Sequence, residues 1–258
     1  MMKGLVTVTV ITLLWGTVAI AGSLEFFAGA GPSAAALGSI NDGIGVVNII
    51  TGDLNTDPRF EDTVPELPNL GSGLAYSAGE RYWITDRFAL GGELTYFKST
   101  SATSGTYTTV DSGEISNVSL SLQCQSIGLL IGGRFTFLDV GLRLAVDLGV
   151  GYYYSGFNTA ITFEMPSDYH PINIQLSSGD GHYNGSSLGI EGGISLSFPI
   201  ADWINVGTSV LYRSLTVQHL VDAEGNGFDF DGDGTAEVAD FSGITVQFTI
   251  ALDINLSL

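Results

Sequence analysis

The chain has 258 residues and a formal net charge of −19, from 27 acidic and 8 basic residues. This excess of negative charge argues against nucleic acid as a partner, because phosphate contacts need clustered lysine and arginine. The chain is 45% hydrophobic and only 14% charged, so it carries much apolar surface that must be covered. Its single cysteine, Cys124, excludes an internal disulfide and is predicted to be a small apolar residue of a strand rather than a catalytic thiol.

The N-terminus has the three parts of a secretory signal peptide. Lys3 precedes an apolar stretch at 5–18, and a small-residue cleavage pattern follows at 19–21. The apolar stretch is shorter than the roughly twenty residues that a spanning helix needs, which favours a cleaved signal at 1–21 over a membrane anchor. The sequence therefore predicts an exported mature chain at 22–258 that forms one domain.

Eight segments of alternating apolar and polar residues follow the signal. They cover 24–32, 72–85, 87–98, 115–137, 140–156, 184–198, 203–219 and 244–258. The last one alternates over eight apolar positions from Ile244 to Leu258, whereas an average globular strand has about five or six residues. A membrane-crossing β-strand needs about nine to eleven residues. The pattern predicts an eight-stranded, antiparallel, up-and-down transmembrane β-barrel, and no spanning helix is expected after residue 22.

The predicted connections alternate in length. Three are short, at 85–87, 138–139 and 200–202, and four are long, at 33–71, 99–114, 157–183 and 220–239. Short turns at one rim and long loops at the other are typical of outer-membrane barrels, whose turns face the periplasm. The first long loop is predicted to hold a short helix or a mobile stretch, and the third to hold a hairpin around Pro166 and Pro171.

Large aromatic residues mark both predicted rims. Three pairs bracket the short turns: Trp83 and Phe88, Phe135 and Phe137, and Phe198 and Trp203. Five more lie toward the long loops: Tyr96, Tyr152, Tyr154, Tyr212 and Phe241. Two interfacial girdles are predicted, and ordinary β-forming aromatics are the alternative.

Two strands depart from simple alternation. In the second strand, Glu80 falls among residues predicted to face lipid, where a charge is costly, and a β-bulge at 78–81 would turn it away. In the fourth strand, the apolar positions change from even to odd numbers near Cys124. Either a bulge at 124–126 or a section of strand standing clear of the membrane would account for this change.

Charged residues concentrate at positions predicted to face the interior. They are Glu25, Arg81, Glu93, Arg134, Arg143, Asp147, Glu191, Arg213 and Asp253. Four arginines thus meet five carboxylates, in a barrel whose lumen is just wide enough for side chains to fill. The network is predicted to close the barrel, and a narrow channel lined by the same residues is the alternative.

An acidic segment before the last strand is similar to an EF-hand-type calcium loop. Its candidate ligands are Asp229, Asp231, Asp233, Thr235, Glu237 and Asp240. Alternate carboxylates can wrap one hard cation, while Gly234 permits the sharp turn. Aspartate at the twelfth position departs from the usual glutamate, and a solvated acidic turn without an ion is the other interpretation.

The chain is not expected to be an enzyme. Its three histidines, His170, His182 and His219, lie in or beside predicted loops. Nucleophilic catalysis needs a serine within reach of a histidine. None of the three has a serine two residues away on the same strand face, which is the arrangement of outer-membrane lipid A deacylases.

The signal, the eight strands, the alternating loop lengths and the run LGVGYYY at 148–154 resemble the small outer-membrane β-barrel families, which include the OmpA membrane domain and OmpX-like barrels. The resemblance covers 22–258, although Leu258 departs from their usual terminal phenylalanine. It implies a structural or adhesive role in outer-membrane lipid, with acidic loops presented to an extracellular ligand or surface partner. The alternatives are a small diffusion channel or porin, a lipid-modifying enzyme, and a soluble exported β-sandwich or calycin-like barrel.

Overall fold

A computed structural model describes residues 22–163, 179–229 and 236–255. Its eight long strands are β1 (Ser23–Ala34), β2 (Ser72–Thr85), β3 (Phe88–Thr108), β4 (Ile115–Asp139), β5 (Arg143–Phe163), β6 (Gly179–Ala201), β7 (Ile204–Ser214) and β10 (Gly243–Asn255). A helix, α1 (Gly38–Thr56), follows β1, and a short ladder of β8 (Thr216–Val217) with β9 (Ala239–Asp240) precedes β10. In these three ranges no helix is long and apolar enough to cross a membrane.

The eight long strands form one closed barrel. Each pairs antiparallel with the next long strand, in the order β1-β10-β7-β6-β5-β4-β3-β2. The barrel closes between β1 and β10, with Ser23 opposite Asn255 and Ser33 opposite Thr245. The predicted eight-stranded antiparallel up-and-down barrel is therefore confirmed.

A band of apolar side chains covers the outer face of the barrel. Ile131 is 74% exposed to solvent, Phe248 71% and Leu148 67%. Gln247, beside Phe248 in sequence, points inward and is buried, and the same holds for Ala145 and Ser195 beside the exposed Val146 and Ile194. This dyad alternation of apolar-out and small or polar-in side chains suits a strand that faces hydrocarbon on one side.

Four strands continue well beyond the length that a bilayer requires. β3 and β5 have 21 residues each, β6 has 23 and β4 has 25. The predicted long connection at 99–114 is therefore wrong, since only 109–114 separates β3 from β4. Much of 157–183 likewise belongs to β5 and β6; the hairpin predicted around Pro166 and Pro171 lies outside the described residues.

The change of phase in β4 is not a bulge. Pairing with β3 and β5 continues without a register shift through 124–126. Even-numbered side chains stay inward along the strand, and Leu120, Leu122 and Arg134 are all buried. The predicted bulge is wrong, and the alternative of a section standing clear of the membrane stays a prediction. The apolar side chains of β4 therefore point outward in the lower part of the strand and inward in the upper part, while the alternation of inward and outward positions stays the same.

β2 also keeps a regular register where a bulge was predicted. Residues 78–81 pair with β1 and β3 without a shift. Glu80 therefore keeps the outward phase and lies cross-strand from Phe26 and Gly92. It lies two outward positions from Tyr76 along β2, and it makes no hydrogen bond or ion pair with the described residues. The predicted bulge is wrong, and the carboxylate stands in the apolar band.

Most of the predicted rim aromatics are exposed on the outer face, but two are not. Trp83 is only 7% exposed and points inward, and Phe241 is fully buried. Both belong to the inward phase of their own chain segment, so proximity to a turn or loop did not predict their direction. Tyr76 instead stands outward near Tyr96, with ring centroids 6.3 Å apart.

A folded cap covers the long-loop end of the barrel. We define the cap as α1, residues 57–71, the strand sections 99–108, 115–125, 157–163 and 179–187, and the described part of 215–242. The lower barrel, down to the short turns, is called the membrane half. Leu37 leads into α1 with a left-handed φ of 45°, and its N–H donates to the Asp240 carbonyl at 2.8 Å. The first long loop thus holds a helix of 19 residues rather than a short one.

Candidate functional site

Four charged side chains form a ring across the interior of the membrane half. Arg81 Nη1 lies 2.8 Å from Glu25 Oε1. Arg134 contacts Asp147 through two bonds, Nε to Oδ1 at 2.7 Å and Nη2 to Oδ2 at 3.0 Å. Longer contacts complete the ring, Arg134 to Glu25 at 3.7 Å and Arg81 to Asp147 at 4.0 Å. Because each arginine contacts both carboxylates, the ring joins β1, β2, β4 and β5.

The surroundings of the ring hold these charges in place. Glu25 is 1% exposed and Arg134 8%, so both would be costly to bury without partners. The Arg81 guanidinium also stacks 3.6 Å from the centroid of the Phe27 ring. Bidentate geometry makes the Arg134–Asp147 pair the strongest contact of the ring.

Two residues predicted for the interior network lie apart from the ring. Arg143 instead pairs with Asp139, Nε to Oδ2 at 3.3 Å, and its guanidinium carbon lies 5.2 Å from the Trp83 ring. Asp253 accepts a hydrogen bond of 2.7 Å from Asn205 rather than from an arginine. Strand phase predicted that both face inward, but their height depends on strand tilt and register, which place them nearer the short turns.

Three other predicted members lie above the ring. Arg213 Nε donates to the Phe241 carbonyl at 3.1 Å, and its guanidinium lies 5.2 Å from the Phe97 ring. Glu191 is cross-strand from Arg213. Glu93 and Glu191 line a cavity of about 50 Å³ that the ring closes from below, a space sufficient for a few water molecules. Four of the nine predicted residues therefore make direct ion pairs in the ring, and Glu93 and Glu191 share the cavity with Arg81, Arg134 and Asp147.

The cap supplies an apolar layer above these charges. The inward face of α1 contributes Ile40 and Ile44, both fully buried. From the barrel wall, Phe97, Leu122 and Phe157 join the same cluster with no exposed surface. At the opposite rim, a recess of about 380 Å³ lies beside Trp83, Arg143 and Asp253. Passing inward from this recess, the barrel contains the ring, the small cavity and then the apolar cluster.

Half of the predicted calcium ligands can be placed. Asp231, Asp233 and Thr235 lie outside the described residues, whereas Asp229 is exposed and Glu237 is 6% exposed. Asp240 belongs to β9, and its Oδ1 accepts the Ser242 N–H at 2.9 Å. Among the residues that can be described, no group of three or more metal-ligating side chains is formed. Calcium binding stays a prediction.

The candidate catalytic groups are placed as follows. His182 Nδ1 lies 2.9 Å from Asn158 Oδ1 on the outer surface of the cap. His219 is exposed, and His170 lies outside the described residues. Cys124 is fully buried in the apolar cluster, in keeping with its predicted role as a small apolar residue. The absence of enzymatic activity stays a prediction.

The fold and the lipid-facing band define a small transmembrane β-barrel. Solved structures similar to this chain include OprG from Pseudomonas aeruginosa, with 10% identity, a TM-score of 0.45 and coverage of 91% of this chain and 97% of that one. A major outer membrane protein from Thermus thermophilus has 12% identity, a TM-score of 0.47 and coverage of 91% and 100%. Ail of Yersinia pestis has 10% identity, a TM-score of 0.40 and coverage of 91% of this chain and 100% of that one.

No family model matches the sequence, and no curated protein matches it. The closed eight-stranded antiparallel barrel of this chain agrees with the fold that the predicted resemblance implies. The structural neighbours are at most 12% identical to this chain. They assign no activity or ligand to this chain.

Proposed function

We propose that this chain is an integral barrel of the bacterial outer membrane that is closed to diffusion and has a structural or surface-interaction role. The observation that carries the proposal is the pair of layers in its interior. The ion-pair ring crosses the membrane half, and the apolar cluster of the cap lies over its upper mouth. Ions would have to pass both layers, and each layer is held together by buried contacts.

The outer surface of the cap supports the surface-interaction role. The exposed carboxylates of the cap and of the adjoining turn at 109–114 are Asp42, Asp53, Glu61, Asp62, Glu66, Asp111, Glu114, Asp180, Glu224 and Asp229. Arg59 is an exposed base of the cap, and it pairs with Asp57 at 2.5 Å. Such a surface attracts cationic partners and repels anionic ones at distances within a Debye length, about 8–10 Å in physiological salt.

Single-channel recording tests closure. Purified protein is inserted into planar bilayers, with a porin of established conductance as the positive control. The proposal expects no stable openings at moderate voltage from the wild-type chain. Long-lived openings of uniform conductance would instead favour the diffusion channel.

The proposed absence of enzymatic activity has its own test. Lipid A and phospholipids are incubated with the barrel in mixed micelles, and their masses are measured. Unchanged masses are expected, with an outer-membrane phospholipase as the positive control. A time-dependent mass change abolished by substituting His182 or His219 would overturn this part of the proposal.

A further inference from the structure

An asparagine ladder on α1 binds the backbone of an extended segment. Asn41, Asn48 and Asn55 are spaced seven residues apart. Each side-chain amide donates to one backbone carbonyl of the segment and accepts the N–H of the same residue, at 2.8–2.9 Å: Asn41 with Leu70, Asn48 with Leu67, and Asn55 with Val64. Asn41 Nδ2 also lies 3.4 Å from the Ala36 carbonyl. The segment, residues 63–71, belongs to neither helix nor strand.

The spacing of the asparagines along α1 is similar in length to the spacing of their partners along the segment. Seven residues of α-helix advance about 10.5 Å, and three residues of polyproline-II chain advance about 9.3 Å. The segment reads TVPELPNLG, with Pro65 and Pro68 three residues apart. Its buried side chains also recur every third residue, at the three positions bound by the asparagines. A three-residue period is that of the polyproline-II conformation.

Hydroxyl groups of β3 hold the other side of the segment. Thr103 Oγ1 donates to the Pro65 carbonyl at 2.8 Å, and Ser101 Oγ donates to the Pro68 carbonyl. These hydroxyls stand two residues apart on one strand face. Apart from the Ala35 N–H, which donates to the Gly71 carbonyl at 2.7 Å, the polar groups that hold the segment come from α1 and β3, and all of them bind its backbone.

The cleft encloses the side chains of the segment only at every third position. Val64 is 1% exposed, Leu67 2% and Leu70 3%, whereas the residues between them are exposed. Gly105 makes room for the first of these, since a Cβ there would lie 2.9 Å from a methyl carbon of Val64. Backbone bonds for affinity and spaced apolar pockets for specificity are the features of a peptide-binding site.

We propose that the cleft between α1 and β3 is a binding site for an extended, proline-containing peptide with apolar residues at every third position, filled here by residues 63–71 of the same chain. The inference rests on the proposed surface-interaction role and names the ligand class. A peptide in trans competes with the tethered segment, whose effective concentration is about millimolar.

Emptying the cleft tests the proposal. In one full-length variant, residues 63–70 are replaced by an equally long glycine-serine stretch; in a second, Leu67→Asp expels the segment without shortening it. The probe is a fluorescein-labelled peptide of residues 62–71, and its anisotropy is measured with barrels in detergent micelles. Saturable binding to both variants is expected, at least tenfold tighter than to the wild-type chain because of the tethered competitor.

Matched controls identify the cleft. In the emptied background, Asn48→Ala is expected to weaken binding about thirtyfold, since two hydrogen bonds are lost. Asp53→Ala, an exposed change on the same helix, leaves the affinity unchanged. A probe carrying aspartate in place of its leucine at position 67 does not bind.

Two results would overturn the inference. One is folded variants, judged by heat-modifiable electrophoretic mobility, that fail to bind the probe. The other is loss of the barrel in both variants, because residues 63–71 would then be part of the core rather than the occupant of a site. Neither result bears on channel closure, which conductance tests separately.

Discussion

In the membrane half, apolar side chains point outward and charges lie inside, whereas in the cap the same strands carry apolar side chains inside. β4 contains both arrangements. Near its lower end Ile131 is 74% exposed and Arg134 8%, whereas near its upper end Leu120 is 1% exposed between the exposed Ser119 and Ser121. The direction of each side chain follows one unbroken alternation. What differs is whether charged or apolar side chains fill the interior.

The ring of the membrane half is expected to contribute the largest single effect. Arg134→Met removes the bidentate partner of Asp147 and one partner of Glu25, leaving buried carboxylates poorly compensated. The free energy of unfolding is expected to fall by about 3–5 kcal/mol. It is measured by urea titration in lipid vesicles, followed by tryptophan fluorescence. Arg87→Met, at an exposed position in a short turn, is the control, and an equal loss there would contradict a special role for the ring.

A large-to-small substitution is expected to destabilise the protein more in the cap than in the lipid-facing band. Leu120→Ala opens a cavity in packed protein and is expected to destabilise the cap by about 2–4 kcal/mol. Ile131→Ala on the same strand faces lipid chains, which can fill the space, so only the smaller transfer cost remains. The free energies of unfolding of both variants are measured by denaturant titration in vesicles. Equal losses of stability would mean that Leu120 and Ile131 do not lie in different surroundings.

Substitution of Glu80 is expected to raise the stability of the membrane half. Replacing this outward carboxylate by leucine is expected to stabilise the barrel by roughly 1–2 kcal/mol, because charges on the lipid face are unfavourable. Glu66→Leu on the cap, which faces water, changes stability little. Unfolding is followed in vesicles at neutral pH. Loss of stability in Glu80→Leu would show that the carboxylate has a favourable partner in the membrane.

The smallest expected effect lies in a cap turn. Hydrogen bonds from the side chain and backbone of Asn226 hold the pKa of Asp222 below its usual value. A depressed folded pKa means that the turn is stabilised above the unfolded pKa, about 3.9, and loses this stability as pH falls through the folded value. Amide exchange at Asn226 should therefore accelerate in acid relative to exchange at buried barrel amides. Asp222→Asn should lower this pH dependence, and an unchanged profile would contradict the assignment.

Much of the barrel could be predicted because strand alternation is a local property. The alternation of β10 predicted its apolar and polar faces. The inward direction of Glu25, Arg81 and Asp147 followed from the same counting, whereas that of Arg134 was predicted only by assuming a change of phase in β4. Their meeting as one ring did not follow from this counting, because it requires the relative heights of four strands.

The helix of the cap shows why other parts could not be predicted. α1 contains glycines at four positions, Gly38, Gly43, Gly45 and Gly52, and each lowers intrinsic helix stability. The heptad spacing of its asparagines was readable, but their partners lie in a separate segment of the chain. Helical structure here depends on those backbone contacts and on burial of the inward face of α1 within the cap.

The sequence by itself determined the strand faces, the number of strands and the oily exterior of the membrane half, because these depend on residues two positions apart. Only the tertiary structure decided where the interior changes from charged to apolar side chains, which charges share a level, and that residues 63–71 lie between α1 and β3. Those features depend on strand register, tilt and contacts between distant segments, and alternation along one strand carries no information about them.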